Sequence, residues 1–135
     1  LDTIVAMTPD MSVTAMYADY VLPIAQHYER HDFTMEGRTP YIQVLDQAVP
    51  PLGESVDDWE AMVRVARAVS SKARERNLPP VKDVVFGKPI THDYQKLADN
   101  FTLGGKIRST KDIADFLLAN SAGYPQITYD ELAKK

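Results

Sequence analysis

Four groups of residues in this sequence have chemistry that goes beyond folding. Arg30 and Arg38 fall in polar stretches beside strand-like runs, where a guanidinium can grip phosphate oxygens through two parallel N–H donors. For Arg38 the competing reading is an ordinary surface arginine. His27 and His31 stand four apart, a spacing that zinc sites use on one helix face, but Tyr28 occupies the place where a zinc protease has glutamate. That motif fails, and surface or ligand-edge histidines are expected. Gly104-Gly105 followed by Lys106 lacks the GxxxxGK[ST] spacing of a phosphate loop and follows no convincing strand, so it reads as a hinge. Asp57-Asp58 is a pair of carboxylates better explained as helix caps, and no serine, histidine and acid stand at an interpretable spacing. A self-contained catalyst is not expected.

The elements that must position these residues begin at the amino-terminal end. Residues 3–7 are a short apolar run stopped by the polar turn Thr8-Pro9-Asp10, and residues 20–22 are a second run stopped by Pro23, which cannot donate to a sheet ladder. Ser12 caps a short helix between them, with Met16 and Tyr20 expected to face the sheet. Two parallel strands follow, and in open α/β sheets a ligand lies beyond their carboxyl ends, which here means Met7, Thr8 and residues 23–30. Residues 25–32 form a helical turn or a polar loop, Glu36-Gly37-Arg38 a turn before Pro40, and residues 41–45 another strand anchored by Tyr41, Val44 or Leu45.

The strongest local signal is a helix over 58–77. Ser55 and Asp57 are rival caps, and Trp59, Met62, Val63, Ala66, Val69 and Ala73 make one apolar stripe at spacings of three and four. Burying Trp59 should contribute on the order of 2 to 3 kcal/mol. Leu78-Pro79-Pro80 ends the helix. Val84 to Phe86 reads as a short strand, 93–101 as a short helix, Ser109 with Asp112 as the start of a helix ending within 120–123, and Thr128 with Glu131 as a capping box for a last helix.

Composition sets the outer bounds. The 135 residues are one domain's worth, with 44% hydrophobic and 25% charged residues. A formal net charge of -4 opposes a general nucleic-acid binder, which needs a basic surface. There is no apolar run approaching membrane-spanning length, so no direct membrane insertion is expected. The absence of cysteine excludes disulfides and iron–sulfur ligation within these residues. Both ends read as cut from a longer chain: the sequence opens directly on a strand-like run and closes in a helix-like segment.

The pattern TAMYADYVLP, then Glu29-Arg30, then PPLGESVDDWEAM resembles the molybdopterin oxidoreductases of the dimethyl sulfoxide reductase family. The length and Pro-aromatic-Ile pattern of HDFTMEGRTPYIQVLDQAVPP are similar to the branch holding nitrate and selenate reductases and dimethyl sulfide dehydrogenase, and FLLANSAGYPQITYDELAKK looks like that family's approach to its last domain. The resemblance implies an α/β fold, part of a doubly wound parallel sheet with flanking helices. Residues 1–78 would be a cofactor-binding α/β part, and 79–135 a mostly helical connector toward an absent carboxyl-terminal barrel.

It further implies a catalytic-subunit fragment that holds the guanosine part of one pterin in a molybdenum bis(molybdopterin guanine dinucleotide) enzyme. Met7 and Thr8 match the strand end that contacts guanosine; many relatives have an acid in place of Thr8, and Asp10 can compensate. Arg30 matches a basic position, usually lysine, and Asp58 an acid at the cofactor. An iron–sulfur cluster would lie in the missing part, and the implied partners are the rest of the subunit, an iron–sulfur electron-transfer subunit and a small-molecule substrate. A periplasmic or membrane-associated complex is the implied location. The competing reading is a stand-alone small α/β ligand-binding or protein-interaction module without catalysis.

Overall fold

The computed structural model describes residues 1–35, 38, 41–121, 123 and 126–134. Strands β1 (Val5–Thr8) and β2 (Tyr20–Pro23) pair in parallel, with Val5 opposite Tyr20 and Thr8 opposite Pro23. Helix α1 (Val13–Met16) connects them, and the Ser12 hydroxyl caps it by accepting from Ala15 N at 3.2 Å. The pair is pinned at its start by Asp19, whose carboxylate accepts from Ile4 N at 2.8 Å. Past β2, Ile24 N donates to Thr8 O at 3.2 Å and Ala25 N to Val56 O at 2.8 Å, so the chain at Val56 runs parallel alongside the end of β2.

The fold is mixed α/β, but no doubly wound parallel sheet forms among the described residues. Strands β3 (Asp32–Met35) and β4 (Ile42–Leu45) are antiparallel, as are β5 (Val81–Val85) and β6 (Lys88–His92). Connection length is the reason. Parallel pairing needs a crossover of about a dozen residues. The link between β1 and β2 supplies one, whereas Phe86-Gly87 between β5 and β6 is a two-residue turn that only a hairpin accommodates. Phe86 at φ 49° and Gly87 at φ 74° give that turn the left-handed backbone whose twist suits a hairpin.

Helix α2 (Asp58–Glu75) forms where expected, and Asp57 is its cap: the Asp57 carboxylate accepts from Glu60 N at 2.7 Å, while the Ser55 hydroxyl donates to Leu52 O instead. The buried stripe is Val63, Ala66, Ser70 and Ala73. Met62 and Val69 are on its flank, roughly 60 to 80° away at 100° per residue, and Trp59 is half-buried. The expected packing of Met16 and Tyr20 is likewise replaced: both are exposed, and the small Ala15 fills the place against the sheet side. A one-turn helix has room for one inward residue. In β4, Ile42, Val44 and Leu45 are half-buried while Tyr41 is exposed. The turn expected at Glu36-Gly37 and Pro40 lies outside the described residues.

Short helices α3 (Leu97–Phe101), α4 (Thr110–Asn120) and α5 (Tyr129–Leu132) complete the fold. Ser109 caps α4 by accepting from Asp112 N at 3.2 Å, and Thr128 with Glu131 makes a full capping box on α5. Gly104 and Gly105 adopt φ 69° and 81°, and the chain divides into two compact units, Leu1–Ala61 with Ser109–Lys135, and Met62–Arg108. The first has Ala15, Ile24, Ala25, Leu118 and Tyr129 at its core; the second has Val63, Ala66, Ser70 and Ala73, with Ser70 Oγ accepting from Ala98 N at 2.9 Å.

Candidate functional site

Three chain segments of the first unit reach a common edge with their carboxyl ends: β1 at Thr8, β2 at Pro23 and the bridge at Val56. Thr8 is held there by a local lock, its hydroxyl donating to Asp10 O at 2.9 Å and lying 3.0 Å from Asp10 Oδ1. The two residues that the sequence offered as alternatives at this position therefore act as one polar group. Met7 and Thr8 are half-buried, Pro9 and Asp10 exposed.

The segment after β2 is tied down by backbone and side-chain bonds. Gln26 N donates to Glu29 Oε2 at 2.8 Å, closing a 3₁₀ turn over His27–Glu29, and Ala48 N and Val49 N donate to Tyr28 O at 2.9 and 3.1 Å. This anchoring delivers Arg30 to Asp58 in the first turn of α2, where Nη1 donates to Oδ2, and brings Nη2 to 3.4 Å from Asp32 Oδ2. Two residues that the resemblance places at the cofactor thus touch. Arg30 Nε is buried and makes no hydrogen bond among the described residues, which costs on the order of 1 to 3 kcal/mol. Asp58 is more than half exposed.

The arrangement combines a cation one side chain deep with carboxylates at the rim. Asp57 is absorbed by capping, whereas Asp58 and Asp10 present oxygens to solvent at the edge. Such an edge suits a ligand with N–H donors and acceptor oxygens together. Arg38 is exposed. His27 and His31 do not share a helix face, because the 3₁₀ turn ends at Glu29, and among the described residues no cluster of three or more potential ligands could hold a metal.

A second cluster in the same unit escaped the sequence reading. His31 Nδ1 lies 2.7 Å from Asp46 Oδ1, Tyr129 is 1% exposed and donates its hydroxyl to Leu45 O at 2.9 Å, and the His31 ring meets the Tyr129 ring edge-on. Lys111 Nζ sits 5.0 Å from the Tyr129 ring centre. The hydrogen bond from His31 holds the Asp46 carboxyl below its usual range, and burial, then the Asp46 charge, pushes the Tyr129 phenol up to about 12. This cluster closes α5 onto the end of β4. Only the capping box at Thr128 was visible in sequence; the partner lies 84 positions away.

Comparison with known proteins supplies the context. Residues 1–68 match the family model of the molybdopterin oxidoreductases. The chain is 40% identical over 101 residues to the respiratory nitrate reductase subunit alpha of Haloferax mediterranei, covering 75% of this chain and 10% of that protein. It is 34% identical over 120 residues to the chlorate reductase subunit alpha of Ideonella dechloratans, and 31% over 121 to the dimethylsulfide dehydrogenase subunit alpha of Rhodovulum sulfidophilum. These alignments cover 89% and 90% of this chain and 13% of each relative. The chain therefore spans about a tenth of the length of such relatives. With the family model matched across both strands, the segment after them and the start of α2, this chain belongs to the molybdopterin oxidoreductase family.

Proposed function

We propose that this chain is part of the catalytic subunit of a molybdenum oxidoreductase and that its three-ended edge holds the guanosine portion of one molybdopterin guanine dinucleotide. The observation that carries the reading is the meeting of Arg30 and Asp58, in the segments that follow the parallel-paired strand β2 and the bridge at Val56, inside the family match. Parallel strands leave a crevice at those ends. Asp58, exposed and oriented by Arg30, accepts from the donor edge of guanine. Thr8 and Asp10 line the same edge as a joined acceptor pair, and Met7 supplies an apolar side. When bound, the molybdenum–pterin group supplies two-electron redox chemistry; this chain contributes grip and position. Residues 1–78 form the holding part, 79–135 lead toward further polypeptide, and iron–sulfur centres and an electron-transfer subunit belong to the remainder of the assembly. The substrate is a small molecule of the kind handled by the nitrate, chlorate and dimethylsulfide enzymes that share this segment.

The test is cofactor loading. In the complete subunit, Arg30→Ala and Asp58→Ala should each lower the guanine and molybdenum content of the purified protein, with Asp58→Asn intermediate because it keeps one acceptor. Unchanged loading in both alanine variants would sink the residue assignments.

A further inference from the structure

Arg30 reaches Asp58 from a stretch of extended backbone, and its neighbours set the face on which it emerges. Its own backbone lies at φ -140° and ψ 161°, a conformation in which successive side chains point to opposite faces. The antiparallel register that sets Asp32 opposite Leu45 continues past the strands, so that one step on His31 faces Asp46. Their side chains bond: His31 Nδ1 lies 2.7 Å from Asp46 Oδ1, and since a carboxylate only accepts, the nitrogen carries the proton. With His31 turned to that face, Arg30 and Asp32 share the other one, where Arg30 Nη2 stands 3.4 Å from Asp32 Oδ2 and Nη1 donates to Asp58.

Residues 46–49 carry this hold between them. Ala48 N and Val49 N donate to Tyr28 O at 2.9 and 3.1 Å, Gln47 Nε2 donates to Glu29 O at 3.0 Å, and Asp46 takes the His31 proton. The two backbone bonds form with any residue at 48 and 49 other than proline. Those of Asp46 and Gln47 depend on the side chain, and they fasten the residue after Arg30 and the residue before it. Gln47 N also lies 3.3 Å from His31 Nδ1, but a nitrogen whose proton goes to Asp46 has no lone pair to accept with. The strut is seated in turn at its start, where the buried Tyr129 donates its hydroxyl to Leu45 O at 2.9 Å.

We propose that Asp46 and Gln47 are positioning residues for Arg30, holding the register of residues 28–32 against 45–49 so that the guanidinium stays on the Asp58 face, a role that rests on reading this edge as the guanosine grip. Register needs a lock here for a physical reason. A slip of one residue moves every side chain of an extended segment to the opposite face, and β3 and β4 pair over only four residues each. Arg30 also resists its own placement: its Nε is buried without a hydrogen bond among the described residues, and a guanidinium released to water regains both hydration and rotamer freedom. Fixing the backbone on both sides of Arg30 offsets that tendency, and a pre-set cation lowers the ordering cost of binding. Both residues act through Arg30 rather than on the cofactor.

The experiment uses the complete, cofactor-loaded subunit and follows the release of guanine nucleotide on gentle warming. Gln47→Leu, which keeps the volume and removes the donor, and Asp46→Ala should each speed release by roughly two- to tenfold, the range for one net hydrogen bond. Gln47→Lys and Asp46→Asn, which keep a donor and an acceptor, should release at the unsubstituted rate. In the Arg30→Ala background neither Gln47→Leu nor Asp46→Ala should speed release further, because a residue that acts through Arg30 then has nothing to position; additive effects would mark a general structural role and overturn the proposal. Unchanged release in Gln47→Leu and Asp46→Ala, with faster release in Arg30→Ala, would overturn it and leave the guanosine reading standing. Unchanged release in Arg30→Ala would sink the guanosine reading itself. A crystal structure of the cofactor-free Asp46→Ala/Gln47→Leu subunit reads the positioning directly: Arg30 should leave Asp58, and a guanidinium still seated there would overturn the proposal whatever the release rates.

Discussion

Five lysines and arginines stand against fifteen acidic residues in the unit Leu1–Ala61 with Ser109–Lys135, whereas Met62–Arg108 holds ten against four. The difference extends to how each unit is closed. The acidic unit is discontinuous and depends on contacts between distant positions, such as the Tyr129 hydroxyl on Leu45 O, 84 positions apart. The basic unit is continuous, and its closing bonds, Ser70 with Ala98 and Arg74 with Gln95, join one helix to the segment that follows it. Long-range closure costs more chain entropy than local closure. The acidic unit is therefore expected to be more sensitive to loss of a single buried anchor.

The largest effect that tests this contrast is Tyr129→Ala. It removes a fully buried ring and should cost about 3 to 5 kcal/mol, whereas Tyr129→Phe should cost about 1 kcal/mol for the hydroxyl. Amide exchange should show the loss in the first unit, with protection at Val63, Ala66 and Ala73 retained; equal loss in both units would make the chain one cooperative body. Next comes alkaline pH. The Tyr129 phenol titrates at about 12 when folded, against 10.0 for an ordinary tyrosine, so its contribution is full below pH 10 and is lost as pH rises toward 12. The loss should be roughly 2 to 3 kcal/mol, read by denaturant melts and absent in Tyr129→Phe. On the acid side Asp46, lowered first by its His31 hydrogen bond, contributes above the ordinary carboxylate range and loses that contribution as pH falls through its depressed value. Asp46→Asn should flatten that limb of the stability curve.

Two smaller effects sharpen the comparison at local sites. Phe86 is fully exposed at φ 49°, so Phe86→Asn should stabilise the hairpin of the basic unit by about 1 kcal/mol, measured as increased exchange protection in β5 and β6. At the start of α2, Asp57→Ala should cost about 1 kcal/mol and Ser55→Ala much less, because only Asp57 accepts from the helix backbone. Comparable losses in both variants would return the cap to Ser55.

Legibility followed the range of the physics involved. Ser12, Ser109 and Thr128 act within three or four residues, and their capping was readable from the chain alone. The β1 and β2 runs were also readable, because apolar residues stopped by Pro9 and Pro23 admit few alternatives. Strand β3 was missed: it begins at Asp32, inside the polar run HYERHD, and its pairing with β4 rather than its own composition makes it a strand. The rotation of the α2 stripe was hidden for a related reason. Val63, Met62 and Val69 are equally apolar, so periodicity marks an apolar side, while which of them is buried depends on the neighbour that packs there.

The chemical identity of the edge was inherent in the linear chain, since Thr8, Asp10, Arg30 and Asp58 owe their donors and acceptors to residue type, and strand and helix ends can be inferred locally. That Arg30 and Asp58 meet, that Thr8 and Asp10 lock together, and that Tyr129 seals the far end of β4 were decided in three dimensions. Composition assigns the capacity to bond, but for partners many residues apart the bond that forms depends on which backbones are brought within about 3 Å of each other.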